Sequence, residues 1–504
     1  MIHSKKILYN TIAVYIKIIL NSVATLIATR IVLQCLGVND FGLYNLLAGV
    51  ITMLSFMNGA LMVSTQRYLS IAIGAKDYGR LSSIFNSSLS IHGLIAVVVS
   101  LAFLLLQPII IDCILTIPQG SVRTAHLIYD VMIISSVLTL LQVPFSAAMN
   151  AHEDIWYWAF TEFVNCALRL ASAVALIYIT DNKLFVYTIM VLFSLVMSML
   201  LKVCWCRIKY AETKLKFAEM KNIALIKEMF GFVGWNTLGT SGTMVRDQGV
   251  AVLMNVFFGT IANAAYGIAQ QINGLVMTFA STITTVFAPS IMQAHGAGDD
   301  EKMIKLAIFS SKISFLLSSI IALPLLLFMP EILRLWLEEI PIYTLDFCRY
   351  VIIVFMILQL TAGLNRAIYA VGKIKWYQII IFSVLVAIIP VSYMLYKSGM
   401  TINVIFYVMI FAQVILTIAN VSIIREYVEF DIIVFYGRSI ILPIILCASI
   451  IYVFHIIISM YLNGLSIFSI VIVSIIVCIT YLLIYLVLVF NKKELKQIKS
   501  LIRK

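Results

Sequence analysis

Apolar runs of membrane-spanning length follow one another from about residue 10 to residue 490, leaving almost no sequence from which a soluble domain could be built. A helix needs about 20 apolar residues to cross about 30 Å of hydrocarbon. That ruler gives fourteen candidate spans, at 10–36, 42–72, 83–111, 125–149, 155–179, 184–205, 229–257, 264–291, 305–329, 343–370, 377–396, 403–424, 438–459 and 465–490. Span 1 carries Lys17 and Arg30, and span 7 carries Arg246 and Asp247. These two are the least apolar, and twelve spans is the alternative count. Hydrophobic residues make up 62% of the 504 and charged residues 12%. A soluble domain carries about 25% charge. The expectation is an all-α polytopic membrane protein.

A faint copy of the first half recurs in the second. Moving the numbering by 222 carries Gly37, Tyr44, Gly74-Ala75 and Asp77 onto Gly259, Tyr266, Gly296-Ala297 and Asp299. A shift of 220 carries Ala147 and Trp156-Tyr157 onto Ala367 and Trp376-Tyr377. The near-constant offset predicts two six-helix lobes in parallel orientation, an architecture that transporters use. The expected organisation is an N-lobe over 1–206, a basic amphipathic linker over 207–228 and a C-lobe over 229–424. Residues 425–504 add a nearly charge-free pair of helices, expected to face lipid, and a basic tail.

Basic residues set the orientation. With the N-terminus in the cytoplasm, most of the 35 Lys and Arg fall in inside segments, including Lys5, Lys6, Lys76, Arg80, the stretch from Arg207 to Lys227, Lys302, Lys305, Lys373, Lys375 and the tail from Lys492. The opposite loops hold only Arg123, Lys183, Arg334 and Lys397. This positive-inside pattern places both termini in the cytoplasm. It assigns the net charge of +12 to topology and anionic lipid rather than nucleic acid. Lys17 interrupts the first apolar run and no small-residue cleavage site follows, so the first helix is expected to stay.

Chemistry-bearing motifs are missing. There is no Gly-rich phosphate loop, no acidic D-x-D sequence and no ligand spacing among the six histidines, so neither an enzyme nor a cofactor is expected. The eight cysteines lie in or beside spans, and Cys204-Trp205-Cys206 has no partners for a metal site.

What remains is charge within the spans, which is costly in a bilayer and marks function by default. Lys17, Arg30, Arg169, Arg246 and Arg349 outnumber Asp130, Glu162 and Asp247. The cations are the candidate substrate-binding residues and the carboxylates are candidates for ion coupling. Glu162 and Arg169 stand two turns apart on one face of span 5, so pairing between them is the alternative reading. Arg67, Lys202, Lys312 and Arg366 sit near helix ends, where long side chains snorkel to the interface. A net positive interior suits a phosphate-bearing headgroup, which guanidinium forks hold bidentately, better than it suits a cationic drug.

The motif Leu36-Gly37-Val-Asn-Asp-Phe-Gly-Leu-Tyr44-Asn after span 1 resembles the polysaccharide transporter branch of the multidrug/oligosaccharidyl-lipid/polysaccharide exporter superfamily. Gln66-Arg67-Tyr-Leu, Gly74-Ala-Lys-Asp, Leu364-Asn365-Arg366-Ala and Gly372-Lys373 agree with that branch. The resemblance implies an O-antigen- or capsule-type flippase. Such a protein moves an undecaprenyl-diphosphate-linked oligosaccharide from the inner to the outer leaflet of the bacterial inner membrane, by alternating access through a cationic central cavity. Polysaccharide polymerase and glycosyltransferases are the implied partners. Related lipid II flippases carry basic residues in helices 1, 2 and 8. Here span 8 has only Gln270, Gln271 and Asn273, which argues against lipid II and leaves Arg246 to supply the missing charge. A drug/ion antiporter of the same superfamily, or a non-transport scaffold of an envelope complex, are the competing readings.

Overall fold

A computed structural model of the chain describes residues 2–52, 55–114, 122–217, 219–337, 340–461, 466–491 and 494–495. Every regular element among them is helical. The chain divides into an N-unit, residues 9–237, and a C-unit, residues 1–8 and 238–504.

The N-unit holds α1 (Ile2–Thr52) from residue 9 onward, α2 (Ser55–Gly74), α3 (Tyr78–Pro108), α4 (Val122–Ala151), α5 (Ile155–Ala175), α6 (Lys183–Lys209) and the opening turns of α7 (Ile223–Gly296). Helix α4 packs against α2, α3 and α6, and α5 closes on α6. The C-unit continues with the rest of α7, α8 (Asp300–Leu327), α9 (Met329–Trp336), α10 (Thr344–Gln359), α11 (Ala362–Val371), α12 (Lys375–Lys397) and α13 (Val404–Arg425). A short α14 (Ile432–Phe435) leads into α15 (Leu442–Tyr461) and α16 (Ile467–Leu488). Helix α13 packs on α10, α11 and α12, while α8 packs on α10, α11, α15 and α16.

Among the described residues each expected span is largely helical, but the count of fourteen is not reached on length and apolarity. Among the described residues eleven helices pass, or twelve if α10 and α11, bent by 46°, make one broken span. The two shortfalls have a physical source. Helix α2 turns Ser64, Thr65, Gln66, Arg67 and Ser70 inward, all buried. The first half of α7 carries Lys227, Glu228, Arg246 and Asp247.

The internal repeat is visible in each unit's own geometry. Gly37 interrupts α1 at φ 76° and ψ 171°, and Gly259 interrupts α7 at φ 80° and ψ −170°. Only glycine occupies that region at low cost. Asp77 caps α3 by accepting the Arg80 amide at 3.0 Å, and Asp299 caps α8 by accepting the Lys302 amide at 2.9 Å. The residues just before these caps, Lys76 and Gly298, both have positive φ. A side-chain oxygen at this position satisfies an amide that the helix itself leaves unpaired.

Close helix contacts in the C-unit depend on missing side chains. A Cβ at Gly242 would lie 3.1 Å from the Cα of Phe382, and one at Gly249 would lie 2.2 Å from Ile389 Cδ1, so α7 meets α12 along a glycine-lined strip. Gly363 is tighter. A Cβ there would come within 2.0 Å of the Ala307 carbonyl, and its amide donates to Ser311 Oγ at 2.9 Å. Small residues permit such approach where lipid supplies no hydrophobic drive for helices to associate.

The α15–α16 pair is expected to be lipid-facing, and much of it is exposed, but one face is built into the C-unit. Tyr481 and Tyr485 are wholly buried; Tyr485 donates to the Lys312 carbonyl at 3.0 Å, and the Cys447 thiol lies 3.2 Å from the Tyr481 hydroxyl. Three of the four side chains expected to snorkel do not reach outward. Lys312 is 5% exposed and bridges to Glu494 at 2.9 Å. Lys202 is 1% exposed, and Arg67 is buried between the rings of Tyr68 and Phe232. Each has a carboxylate or an aromatic face at hand, which offsets the cost of burial better than the stem could by reaching for water. Arg366 is half-buried beside Tyr369 and Tyr377.

Candidate functional site: a polar cavity in the N-unit

The N-unit contains a cavity of about 360 Å³ between α1, α5 and α6. Its wall follows from helical spacing. On α1, Asn21, Thr25, Ala28 and Val32 recur every three or four residues and form one stripe. On α5, Glu162, Asn165, Cys166 and Arg169 form another. Tyr44 and Tyr187 close the space, their rings 5.3 Å apart and edge to face.

Charges in this region are unequally satisfied. Glu162 does not pair with Arg169, the partner that spacing on one helix suggests. It accepts from Lys202 of α6 at 2.6 Å, and Lys202 also donates to Gln142 of α4 at 2.9 Å. Lys17, two turns before Thr25 on α1, places its ammonium 3.9 Å from the Trp158 ring centroid and within electrostatic range of Glu162. One carboxylate thus faces two lysines. Arg169 stands beside the Tyr187 hydroxyl, and among the described residues no carboxylate neutralises it. The cavity wall therefore carries a surplus guanidinium, a group that stays charged in any environment and binds oxyanions through a planar fork. Asn165 accepts from Ser194 at 3.0 Å, which fixes its amide in the wall.

The remaining expected residues are not among those that line this cavity. Arg30 is exposed, rotated away from the stripe that lines the cavity. Arg246 donates through Nε and Nη2 to Asp247 Oδ1 at 2.9 and 2.8 Å, so these neighbours on α7 form their own ion pair in the C-unit. Tyr266 lies within their field. Arg349 is half-buried on α10 with no ion pair among the described residues. Asp130 accepts from Gln107 at 3.0 Å near the contact of His126 with Asp112, and it does not line the cavity. Within the N-unit the structure thus gathers Glu162, Arg169 and Lys17 and leaves Arg30 and Asp130 at separate positions, while Arg246, Asp247 and Arg349 belong to the C-unit. Tyr187 and Asn165 were not picked out by their sequence, Tyr44 was read only through the repeat and the motif after span 1, and Lys202 only as a side chain near a helix end. Lys202 stands one helical repeat before the end of α6, where stem length alone suggests reaching for the interface.

Comparison with solved structures decides the architecture. A multidrug resistance MATE family transporter of the MOP superfamily, in an outward-facing conformation, superposes with a TM-score of 0.73 at 15% identity, over 84% of this chain and 95% of that one. The fold is that of the MATE transporters. A MATE protein in a bent conformation gives a TM-score of 0.74 at 14% identity, over 84% and 96% of the two chains. A MOP superfamily transporter from Pyrococcus furiosus, for which a binding pocket of reversed polarity suggests a different function, gives 0.72 at 14% identity over 84% and 95%. The MatE family model matches residues 248–394, which lie in the C-unit of this MATE fold. The uncharacterized membrane protein EpsK of Bacillus subtilis (strain 168) is 22% identical over 286 residues, 55% of this chain and 55% of its own length. The chain thus spans about half the length of that curated relative. Together these matches mark a multi-pass membrane protein with the architecture of a transporter.

Proposed function

We propose that this protein transports an anionic, lipid-linked substrate, of the undecaprenyl-diphosphate oligosaccharide type, from the inner to the outer leaflet of a bacterial inner membrane by alternating access. The observation that carries the reading is the surplus Arg169 in the wall of a polar cavity whose one carboxylate, Glu162, is already held by Lys202. A diphosphate offers pairs of oxygens that match the guanidinium fork, while Asn21, Thr25, Thr29 and Asn165 supply hydrogen bonds suited to sugar hydroxyls. Lys17 and Arg169 would hold the headgroup in the N-unit. Arg30, Arg246 and Arg349 are proposed as further contacts along its route, and Glu162, Asp130 or Asp247 as coupling carboxylates. The reversed pocket polarity suggested for the Pyrococcus transporter supports the view that a MATE fold accommodates more than cationic drugs.

Glu162, with the aromatic wall of Tyr44 and Tyr187, favours a second reading as a cation or drug antiporter. Proteoliposomes separate the two. Under the first reading, translocation of an undecaprenyl-diphosphate-linked sugar falls to background in Arg169→Ala, is partly restored in Arg169→Lys, and ethidium does not compete. Ethidium efflux that survives Arg169→Ala and fails in Glu162→Gln would instead establish the second.

A further inference from the structure

The stretch from the last turn of α6 to the first residue of α7, residues 207–223, carries two sets of side chains of opposite character. One is fastened to the N-unit by polar side chains. Ser82 and Asn86 of α3 reach the Glu219 carboxylate at 2.5 and 3.4 Å. Asn86 also brackets the segment's backbone, donating to the Lys214 carbonyl at 3.2 Å and accepting from the Lys216 amide at 3.0 Å. Ser87 and Ser90 donate to the carbonyls of Glu219 and Met220. At its start, Tyr210 donates to buried Asp154 at 2.5 Å and stacks on His152, which contacts Glu212 at 2.5 Å. Burial would raise the Glu212 carboxyl, but the His152 contact and a backbone hydrogen bond outweigh it and hold it below the usual range. A loop with this many anchors is a built element of the fold rather than a passive tether.

The other set is apolar and basic. Ile208 is 88% exposed, Phe217 75%, Ile223 77% and Leu215 41%. Arg207 and Lys214 are exposed too, and neither is paired with a carboxylate among the described residues. Ile, Leu and Phe are the types most often buried, whereas Arg and Lys are normally exposed. Outward, these side chains together match an interface in which apolar groups enter the acyl boundary while cations meet phosphates. The segment joins the end of one spanning helix, α6, to the start of α7, which places it at the height of the headgroups.

We propose that residues 207–223 form a membrane-surface anchor that docks the N-unit onto the anionic phospholipid leaflet. Ile208, Leu215, Phe217 and Ile223 insert between headgroups, and Arg207 and Lys214 bind their phosphates. The hydrogen bonds from Ser82, Asn86, Ser87 and Ser90 transmit that attachment to α3. The proposal is independent of which substrate the cavity carries.

Hydrogen exchange read by mass spectrometry on the full chain tests it, in nanodiscs of pure phosphatidylcholine and in nanodiscs with about a third phosphatidylglycerol. Peptides over 207–223 are expected to exchange several-fold more slowly with the anionic lipid, while peptides of α4 do not change. Arg207→Gln with Lys214→Gln should erase the lipid dependence, and Phe217→Ser should raise exchange in both lipids. Equal exchange of the unmodified protein in the two lipids overturns the proposal, whatever the variants do. So does a lipid dependence that persists unchanged in the double variant, because it would arise from some other surface.

Discussion

Gly37 and Gly259, separated by the 222-residue offset, hold the same rare backbone conformation, φ 76° with ψ 171° and φ 80° with ψ −170°, at equivalent breaks in two long helices. A Cβ built at either glycine meets nothing within 4 Å, so the requirement for glycine is one of backbone and not of space. Replacing either by alanine forces an L-residue into a region that costs about 1–3 kcal/mol per residue. Gly37→Ala and Gly259→Ala should each lower thermal stability in detergent by a similar amount. A larger residue such as serine should do no worse than alanine. Unchanged melting of both variants would refute the backbone account.

Lys202 is buried and Glu162 is partly exposed on the cavity wall, so the two halves of their ion pair are unequal hazards. Lys202→Met leaves the carboxylate facing Lys17 and the cavity, whereas Glu162→Gln strands the buried ammonium and should cost more, toward the about 3–5 kcal/mol of breaking a buried pair from one side. The double replacement removes both charges and should recover most of that loss, read as folded yield and melting temperature in a double-mutant cycle. Additive losses would show that the residues do not act as a pair.

Gly363 tests close packing of α8 against α11. The Cβ of an alanine would fall 2.0 Å from the Ala307 carbonyl, a backbone atom that has no rotamer by which to yield. Gly363→Ala should therefore destabilise by about 1–3 kcal/mol, the usual range for overpacking. Gly267→Ala, where nothing lies within 4 Å, is the control and should change little.

The pH dependence of the 207–223 segment follows from Glu212. Its folded-state value lies below the ordinary 4.5, after burial is outweighed by His152 and the backbone. The stabilisation is therefore complete above about pH 4.5 and is lost as pH falls through the lowered value. Glu219 shifts the same way, with Ser82, Lys216 and Asn86 outweighing burial. Exchange over 207–223, corrected for its intrinsic pH dependence, should rise as the pH is taken below the ordinary 4.5 and through the lowered value. Glu212→Gln should flatten the acid limb in part.

The helical architecture was legible because membrane spans announce themselves by length, and the repeat because glycines and caps at helix ends tolerate few substitutes. Trp156 and Trp376 open corresponding helices, α5 and α12, as the 220 offset expects. The partners of the charges were not legible. Sequence placed Glu162 and Arg169 on one face of α5, but the lysine that takes Glu162 comes from α6, and tertiary packing rather than spacing selects it. Arg246 and Asp247 are adjacent in sequence, and their side chains bend toward each other despite emerging on different sides of the helix. Surplus charge counted along a sequence thus overstates what remains free once helices meet.

The Lys312–Glu494 bridge carries a consequence for how the protein is made. Lys312 belongs to α8, but its carboxylate lies 182 residues further along the chain, beyond α16. During synthesis, α8 enters the bilayer with a lysine whose partner has not yet been translated. At about 5–20 residues per second that wait lasts on the order of ten seconds or more. Through that interval Lys312 lacks the carboxylate that it holds in the folded C-unit. Arrival of Glu494 then closes the contact that ties α8 to the segment after α16.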